Sequence, residues 1–494
     1  MPTPSSPPAH PSPAAPGTTS GALLARPARG RAQALRRSRN LFSFGLTAVV
    51  VALGYFIYGA RVADPLHLYL GLAMIVLSAW PSLLWARRAE YGLPLFEVFM
   101  LTGITTYAVP LLTGHQALQR FEPATITTAG IGVVLFQVVA NLAFALTRSH
   151  PRRGRFWQEE IFSRDLSRYL TYGMVLTTVY TAVILLTTWI PPELEGALRS
   201  ICYGVGIIAT FLQCRRWGQG QLRPPEKFGF TVLLAAQVVF SWAALYLIGG
   251  ISILLLGLLG YVSGSKKIPL LTLAVVLPVI AILHNGKAAM RAKYWETGAA
   301  MPASLAALPP FFSEWIDDGL DPAIRARTEE TNRLLERTSL FHIMCLVVSV
   351  TPERKPFLEG ETYAQIPGQF VPRPLWPGKP PGHISTYTLS IYYGLQRPED
   401  TQRTTIGFGL LTEAYANFGF FGLAGLGLLI GGGFKLVSTW ASQSPILSLG
   451  GMLMIVLMAW SFQTEFTLSL WLSSFASACL TVLGIPYLTR NFFK

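Results

Sequence analysis

Three stretches of this sequence gather residues able to do acid–base or anion chemistry. In GFGLLTEAYANFGFFG, residues 407–422, Glu413 and Asn417 stand four positions apart and so share a face if the stretch is helical. A carboxylate within an apolar helix is costly and tends to mark function. Glu413 is the preferred general base, able to take the proton of an attacking hydroxyl or to orient it, with Asn417 beside it. The plainer alternative is a carboxylate at the interface, hydrated or paired with Arg403. In HNGKAAMRAKYWE, residues 284–296, Lys287 and Arg291 share a helix face and Lys293 follows. Cations gathered in this way suit an anionic ligand such as a lipid diphosphate, whose oxygens arginine can grip in pairs. Alternatively they snorkel to ordinary head groups. In FVPRPLWPGKPPG, residues 370–382, Arg373 and Lys379 are set among prolines, with Trp376 between them. Proline fixes φ and lowers the entropy lost on ordering, so the segment is either an anion clamp or a stiff spacer.

Other polar residues carry weaker signals. Glu97, Gln137 and Asn141 read as packing or hydrogen-bonding residues within spans. Glu465, in a tight turn, faces either solvent or a cavity. His342 and His383 are second choices for the base. Cys202, Cys214, Cys345 and Cys479 show no metal-ligand spacing and read as small core residues.

The elements that must position these residues are membrane helices. Of 494 residues, 51% are apolar and 13% charged. Apolar windows fall at about 41–60, 66–86, 93–112, 124–146, 166–190, 198–214, 228–248, 250–265, 268–284, 406–434, 446–463 and 467–488. They predict an all-α, polytopic protein of about twelve transmembrane helices. Residues 1–40 form a tail, rich in proline and serine to about residue 21, and a basic segment; residues 41–284 hold spans one to nine, and residues 406–494 the last three. The basic run Arg26 to Arg39 ahead of the first window, without a cleavage site, places the N-terminus in the cytoplasm.

Charge supports this order. Of the 39 Lys and Arg residues, 23 fall on the cytoplasmic side, three in short outer loops and 13 in one long outer segment. The net charge of +14 thus follows the positive-inside rule and forms no nucleic-acid stripe. The long segment, residues 285–405, balances its 13 basic residues with 13 acidic ones. Long loops are usually functional. It is expected to open with an amphipathic stretch and to carry a helix at about 322–349, with Glu329 and Arg333 paired across a turn. The end of that helix, FHIMCLVVSV, lies on or dips into the membrane.

No glycine-rich phosphate loop is present, and the largest cytoplasmic connection, about 147–165, is too short for a nucleotide pocket. The order of parts, many spans, a basic helix exit, a long loop with PRPLWPGKP and then EAYANFGFFG opening a span, resembles the O-antigen polymerase and oligosaccharide repeat-unit polymerase superfamily, which is related to the O-antigen ligases. Motif support covers about residues 230–490.

The resemblance implies a C-type, multi-span glycosyltransferase of a bacterial inner membrane, with both termini cytoplasmic and no metal or other cofactor. It would use polyprenyl-diphosphate-linked oligosaccharides on the outer face, with membrane lipids, a chain-length regulator and a flippase as candidate partners. Glu413, Arg373 and Arg291 would then be catalytic, and Lys287, Lys293, Lys379, Arg403, Asn417 and Trp376 would bind the diphosphate or glycan. A lipid-glycan ligase and a flippase are the competing classes. A flippase is disfavoured by the lack of paired repeats and by the single dominant outer segment.

Overall fold

A computed structural model of the chain describes residues 28–87, 92–160, 166–190, 192–296, 300–331, 339–371, 375–376, 378–402 and 405–489. The proline-rich tail, Arg333, Arg373 and Arg403 lie outside the described residues.

The described chain is all-α, with one isolated β-bridge between Glu160 and Ser448. In order, the helices are α1 (Ala28–Gly59), α2 (Pro65–Arg87), α3 (Leu95–Gly103), α4 (Val109–Leu112), α5 (Pro123–Leu146), α6 (Arg155–Gln158), α7 (Leu166–Leu186), α8 (Pro192–Gly218), α9 (Pro224–Ala243), α10 (Leu247–Ser265) and α11 (Leu270–Arg291). The long segment that follows contributes α12 (Leu308–Leu320), α13 (Pro322–Thr331), α14 (Phe341–Val350), α15 (Glu361–Ala364), α16 (Ile366–Gln369) and α17 (Ile384–Tyr392). The chain then closes with α18 (Gly409–Trp440), α19 (Leu449–Trp460) and α20 (Leu468–Thr489).

The chain is a multi-pass membrane protein, but the count of spans is smaller than the windows predict. Among the described residues eight helices, not about twelve, are long and apolar enough to cross a bilayer. The windows at 198–214, 228–248, 446–463 and 467–488 fall on α8, α9, α19 and α20, which are not among those eight. α19 has 12 residues and extends about 18 Å, short of a hydrocarbon core of about 30 Å. α8 carries Arg199 near one end and Arg215 and Arg216 at the other, and α9 opens with Glu226 and Lys227. α8 and α19 are held together by a buried cluster that includes Ile208, Ala209, Phe211, Leu212, Met452 and Ile455.

The predicted helix at 322–349 is interrupted. α13 ends at Thr331, Ser339 and Leu340 are non-helical, and α14 starts at Phe341. α14 packs inside the main core against α5 and α18, with Phe341, Met344, Cys345 and Val347 fully buried. Leu340 is fixed by donating its amide to Thr106 O at 3.0 Å. Thr106 belongs to a π-turn (Ile104–Ala108) between α3 and α4, and a widened turn leaves a carbonyl free for such a contact.

α18 and α5 form the most extensive helix pair. Gly427 and Gly431 lie four apart on α18, and a Cβ at Gly431 would fall 2.1 Å from Ala140 O, so only glycine permits this approach. Gln137 bonds Ser78 at 2.9 Å, and Asn141 bonds Leu77 O at 3.1 Å, tying α5 to α2. Both therefore act as hydrogen-bonding residues between helices.

Candidate functional site

α18 is broken. Phe418 (φ −140°, ψ 16°) and Gly419 (φ 58°, ψ −139°) leave helical geometry just after Asn417. Gly419 occupies backbone space that side chains rarely adopt, and a Cβ there would lie 2.9 Å from the Phe357 ring. The two halves of the helix differ in environment. Every residue from Gly409 to Asn417 is buried, whereas Phe421 is 91% exposed and begins the part that can face lipid. Residues 420–440 alone extend about 31 Å at about 1.5 Å each, enough to cross a bilayer. The half that carries Glu413 and Asn417 is thus enclosed by protein.

A helix end leaves carbonyls without partners, and the long segment supplies them here. Leu358 donates to Ala416 O at 3.0 Å and Glu359 to Asn417 O at 3.2 Å. The Asn417 side chain completes the junction: Oδ1 accepts the Gly360 amide at 3.0 Å, while Nδ2 donates to Thr362 Oγ1 and to Glu413 O, both at 2.8 Å. Asn417 is therefore a staple between α18 and the segment that runs into α15.

Glu413 is fully buried. Its Oε2 accepts the amide of Leu468 at 2.5 Å, at the first turn of α20. This contact meets an orphan amide at the start of a helix. Oε1 is buried without a hydrogen bond, and the Thr362 side chain lies close to the carboxyl group. Burial and the adjacent Glu413 carboxylate push the Tyr363 phenol up from its ordinary value.

Further polar groups collect around this carboxylate. Ser385 Oγ bonds Thr362 O at 3.1 Å and Gln365 Oε1 at 2.9 Å, and Thr386 meets Thr467 at 3.3 Å. Thr412 Oγ1 and Ser469 Oγ are buried without a hydrogen bond. Three such oxygens, Glu413 Oε1, Thr412 Oγ1 and Ser469 Oγ, thus lie on adjoining turns of α18 and α20.

From Ser469 a stripe at intervals of four, Ser469, Ser473 and Ser477, descends α20. Ser473 and Ser477, with Ser474, line a cavity of about 350 Å³ between α20, α8 and the long segment. Arg199, Lys379, Gln369 and Trp460 complete its wall, and the buried Trp460 Nε1 is unpaired. Lys379 donates to Gln369 O at 2.6 Å and Val371 O at 2.9 Å, which fixes its ammonium group at the cavity wall.

The sequence candidates therefore separate into groups. Glu413 and Asn417 form one centre, bonded to each other, and Lys379 lines the cavity along α20. Trp376 is exposed and packs near Gly368. Lys287 acts electrostatically on the exposed Glu465, whose carbonyl accepts the Gly409 amide at 3.1 Å, so this cation stands beside the entry to α18. Arg291 is engaged elsewhere: its guanidinium donates to Leu245 O at 2.8 Å and lies over the Trp295 ring at 4.2 Å. Lys293 pairs with Glu314, which also accepts from Tyr294 at 3.0 Å. Arg373 and Arg403 lie outside the described residues.

His342 stacks on His115 with ring centres 5.1 Å apart, and burial first, then His115 and Arg120, brings it down to about 4. Burial also lowers His383. Glu97 is buried in the first turn of α3. The sequence reading missed Thr362, Ser385, Thr412, Arg199 and the serine stripe, of which only the stripe left a periodic signal. Among the described residues no group of three or more His, Cys, Asp or Glu side chains is placed to hold a metal ion.

Compared with family models, curated proteins and solved structures, the chain matches none.

Proposed function

We propose that the chain is a C-type membrane glycosyltransferase that joins polyprenyl-diphosphate-linked oligosaccharide repeat units into a surface polysaccharide at the outer face of a bacterial inner membrane. One observation carries this reading: a buried carboxylate, Glu413, is anchored by one oxygen to the start of α20, the helix whose serines line a cavity together with Lys379 and Arg199.

An acceptor hydroxyl at Glu413 Oε1 attacks the anomeric carbon of the donor glycan. The new C–O bond forms as the bond to the diphosphate breaks, the hydroxyl proton passes to Glu413, and polyprenyl diphosphate leaves with the electron pair. Lys379 and Arg199 at the cavity, with Lys287 near the entry to α18, supply the positive field for that leaving group. Fixed charges in a water-poor site stabilise developing charge far more than they would in water. The side chains of Ser473, Ser474 and Ser477 offer the hydroxyls that a glycan's own hydroxyl groups need. Arg291 supports this arrangement indirectly, by holding α11 to the turn after α9. Arg373 and Arg403 join the cation set on the strength of the sequence resemblance.

A ligase would use the same cationic site with a different acceptor. Deletion of the gene separates the two: a polymerase leaves single repeat units on the lipid carrier, whereas a ligase leaves finished polymer there. Accumulation of neither would remove the chain from this pathway.

A further inference from the structure

The polar cavity has an apolar neighbour on the other side of the same helix. A shallow trough of about 680 Å³ runs along α20, lined by Leu472, Phe475, Cys479, Leu480 and Tyr487, with Phe156 and Leu449 on its walls. Two facts join it to the cavity. Gln369 lines the cavity and the next residue, Phe370, lines the trough, so one short stretch of the long segment roofs both. On α20, Ser473 and Ser474 face the cavity while Leu472 and Phe475, on either side of them, face the trough. From Leu472 to Tyr487 the helix rises about 22 Å, most of the depth of a bilayer core. Leu480 is 77% exposed, so the trough opens sideways toward lipid.

We infer that the trough along α20 holds the isoprenoid chain of the lipid-linked substrate, with its diphosphate and first sugars in the adjoining serine-lined cavity. This rests on the reading of the substrate given above. A single amphiphile fits both parts: a charged, hydroxyl-rich head beside Lys379 and Arg199, and one long apolar tail beyond Phe370. An ordinary phospholipid supplies the apolar chains but lacks the sugars that the serine stripe would meet.

The test is photo-crosslinking of the full-length protein in nanodiscs with undecaprenyl diphosphate bearing a diazirine on its tail. Cross-links are expected between Leu472 and Tyr487, and unlabelled undecaprenyl diphosphate should compete at least about tenfold better than phosphatidylglycerol. Ala476→Trp, which fills the trough wall, should raise the half-saturating concentration of undecaprenyl diphosphate about tenfold and leave that of farnesyl diphosphate unchanged. Cross-links spread around the bundle, or equal competition by phosphatidylglycerol, would overturn the inference. Labelling needs no turnover, so an inactive protein that still labels the trough overturns only the proposed activity. An active protein that does not label it overturns only the trough.

Discussion

Glu413 Oε2 accepts the backbone amide of Leu468 across 55 positions of sequence, at 2.5 Å. A carboxylate on one interrupted helix thereby caps the start of another, and its second oxygen is buried without a hydrogen bond. On the proposed function, structure and chemistry are divided between the two oxygens of one side chain, which makes them separable by substitution.

Glu413→Gln keeps an oxygen for Leu468 and removes the base. Polymer formation is expected to fall about a hundredfold or more, within the usual range for general-base loss, while the thermal midpoint in detergent stays close to that of the parent. Glu413→Ala should lose both activity and stability, since it strands the Leu468 amide at a cost of about 1–3 kcal/mol.

Asn417→Leu removes the bonds to Gly360 and Thr362 together. The stranded Gly360 amide alone should cost about 1–3 kcal/mol. Limited proteolysis should then cut between Leu358 and Thr362 faster than in the parent, because the staple that holds this stretch to α18 is gone. An unchanged cleavage rate would show that the backbone bonds from Leu358 and Glu359 suffice.

Gly419→Ala places a Cβ on a backbone that favours glycine and drives it toward Phe357, for an expected loss of about 1–3 kcal/mol. Gly425, on the same helix but with open space around it, gives the contrast: Gly425→Ala should be neutral or stabilising by about 1 kcal/mol. Thermal unfolding of the two variants side by side decides whether the break in α18 is a requirement of the fold.

Lys293 and Lys379 should behave differently. The hydrogen bond from Lys293 holds the Glu314 carboxyl below its ordinary value of 4.5, against the opposing effect of burial. A lowered carboxyl value contributes stability above 4.5 that is lost as pH falls through the folded-state value. The midpoint difference between Lys293→Ala and the parent should therefore be small at neutral pH, as for any exposed pair, and vanish in acid. Lys379→Ala should instead raise the KM for lipid-linked substrate with little change in the melting curve.

Much of the candidate site's local geometry was legible where it depends on residues close in sequence. Glu413 and Asn417 declare themselves by a spacing of four in an apolar run, and the bond from Asn417 Nδ2 to Glu413 O follows directly from that spacing. What periodicity does not reach is the tertiary partner. Leu468 lies 55 positions from Glu413, Thr362 lies 55 from Asn417, and Glu314 lies 21 from Lys293. The basic stretch at residues 284–296 reads as one cluster, yet its members turn to separate partners, because a helix leaving the bundle presents successive residues to different neighbours. Hydropathy likewise overcounts the spans. A window of apolar residues reports exclusion from water, and α19, enclosed by protein, satisfies it with 12 residues as well as a lipid-facing helix does with more than twenty.

The most direct measurement uses purified protein in liposomes supplied with polyprenyl-diphosphate-linked repeat units and no nucleotide. Wild-type protein is expected to form glycans of two or more repeats with release of one polyprenyl diphosphate per bond, and Glu413→Gln to bind the substrate but release none. Polymer made at the wild-type rate by Glu413→Gln would contradict the account.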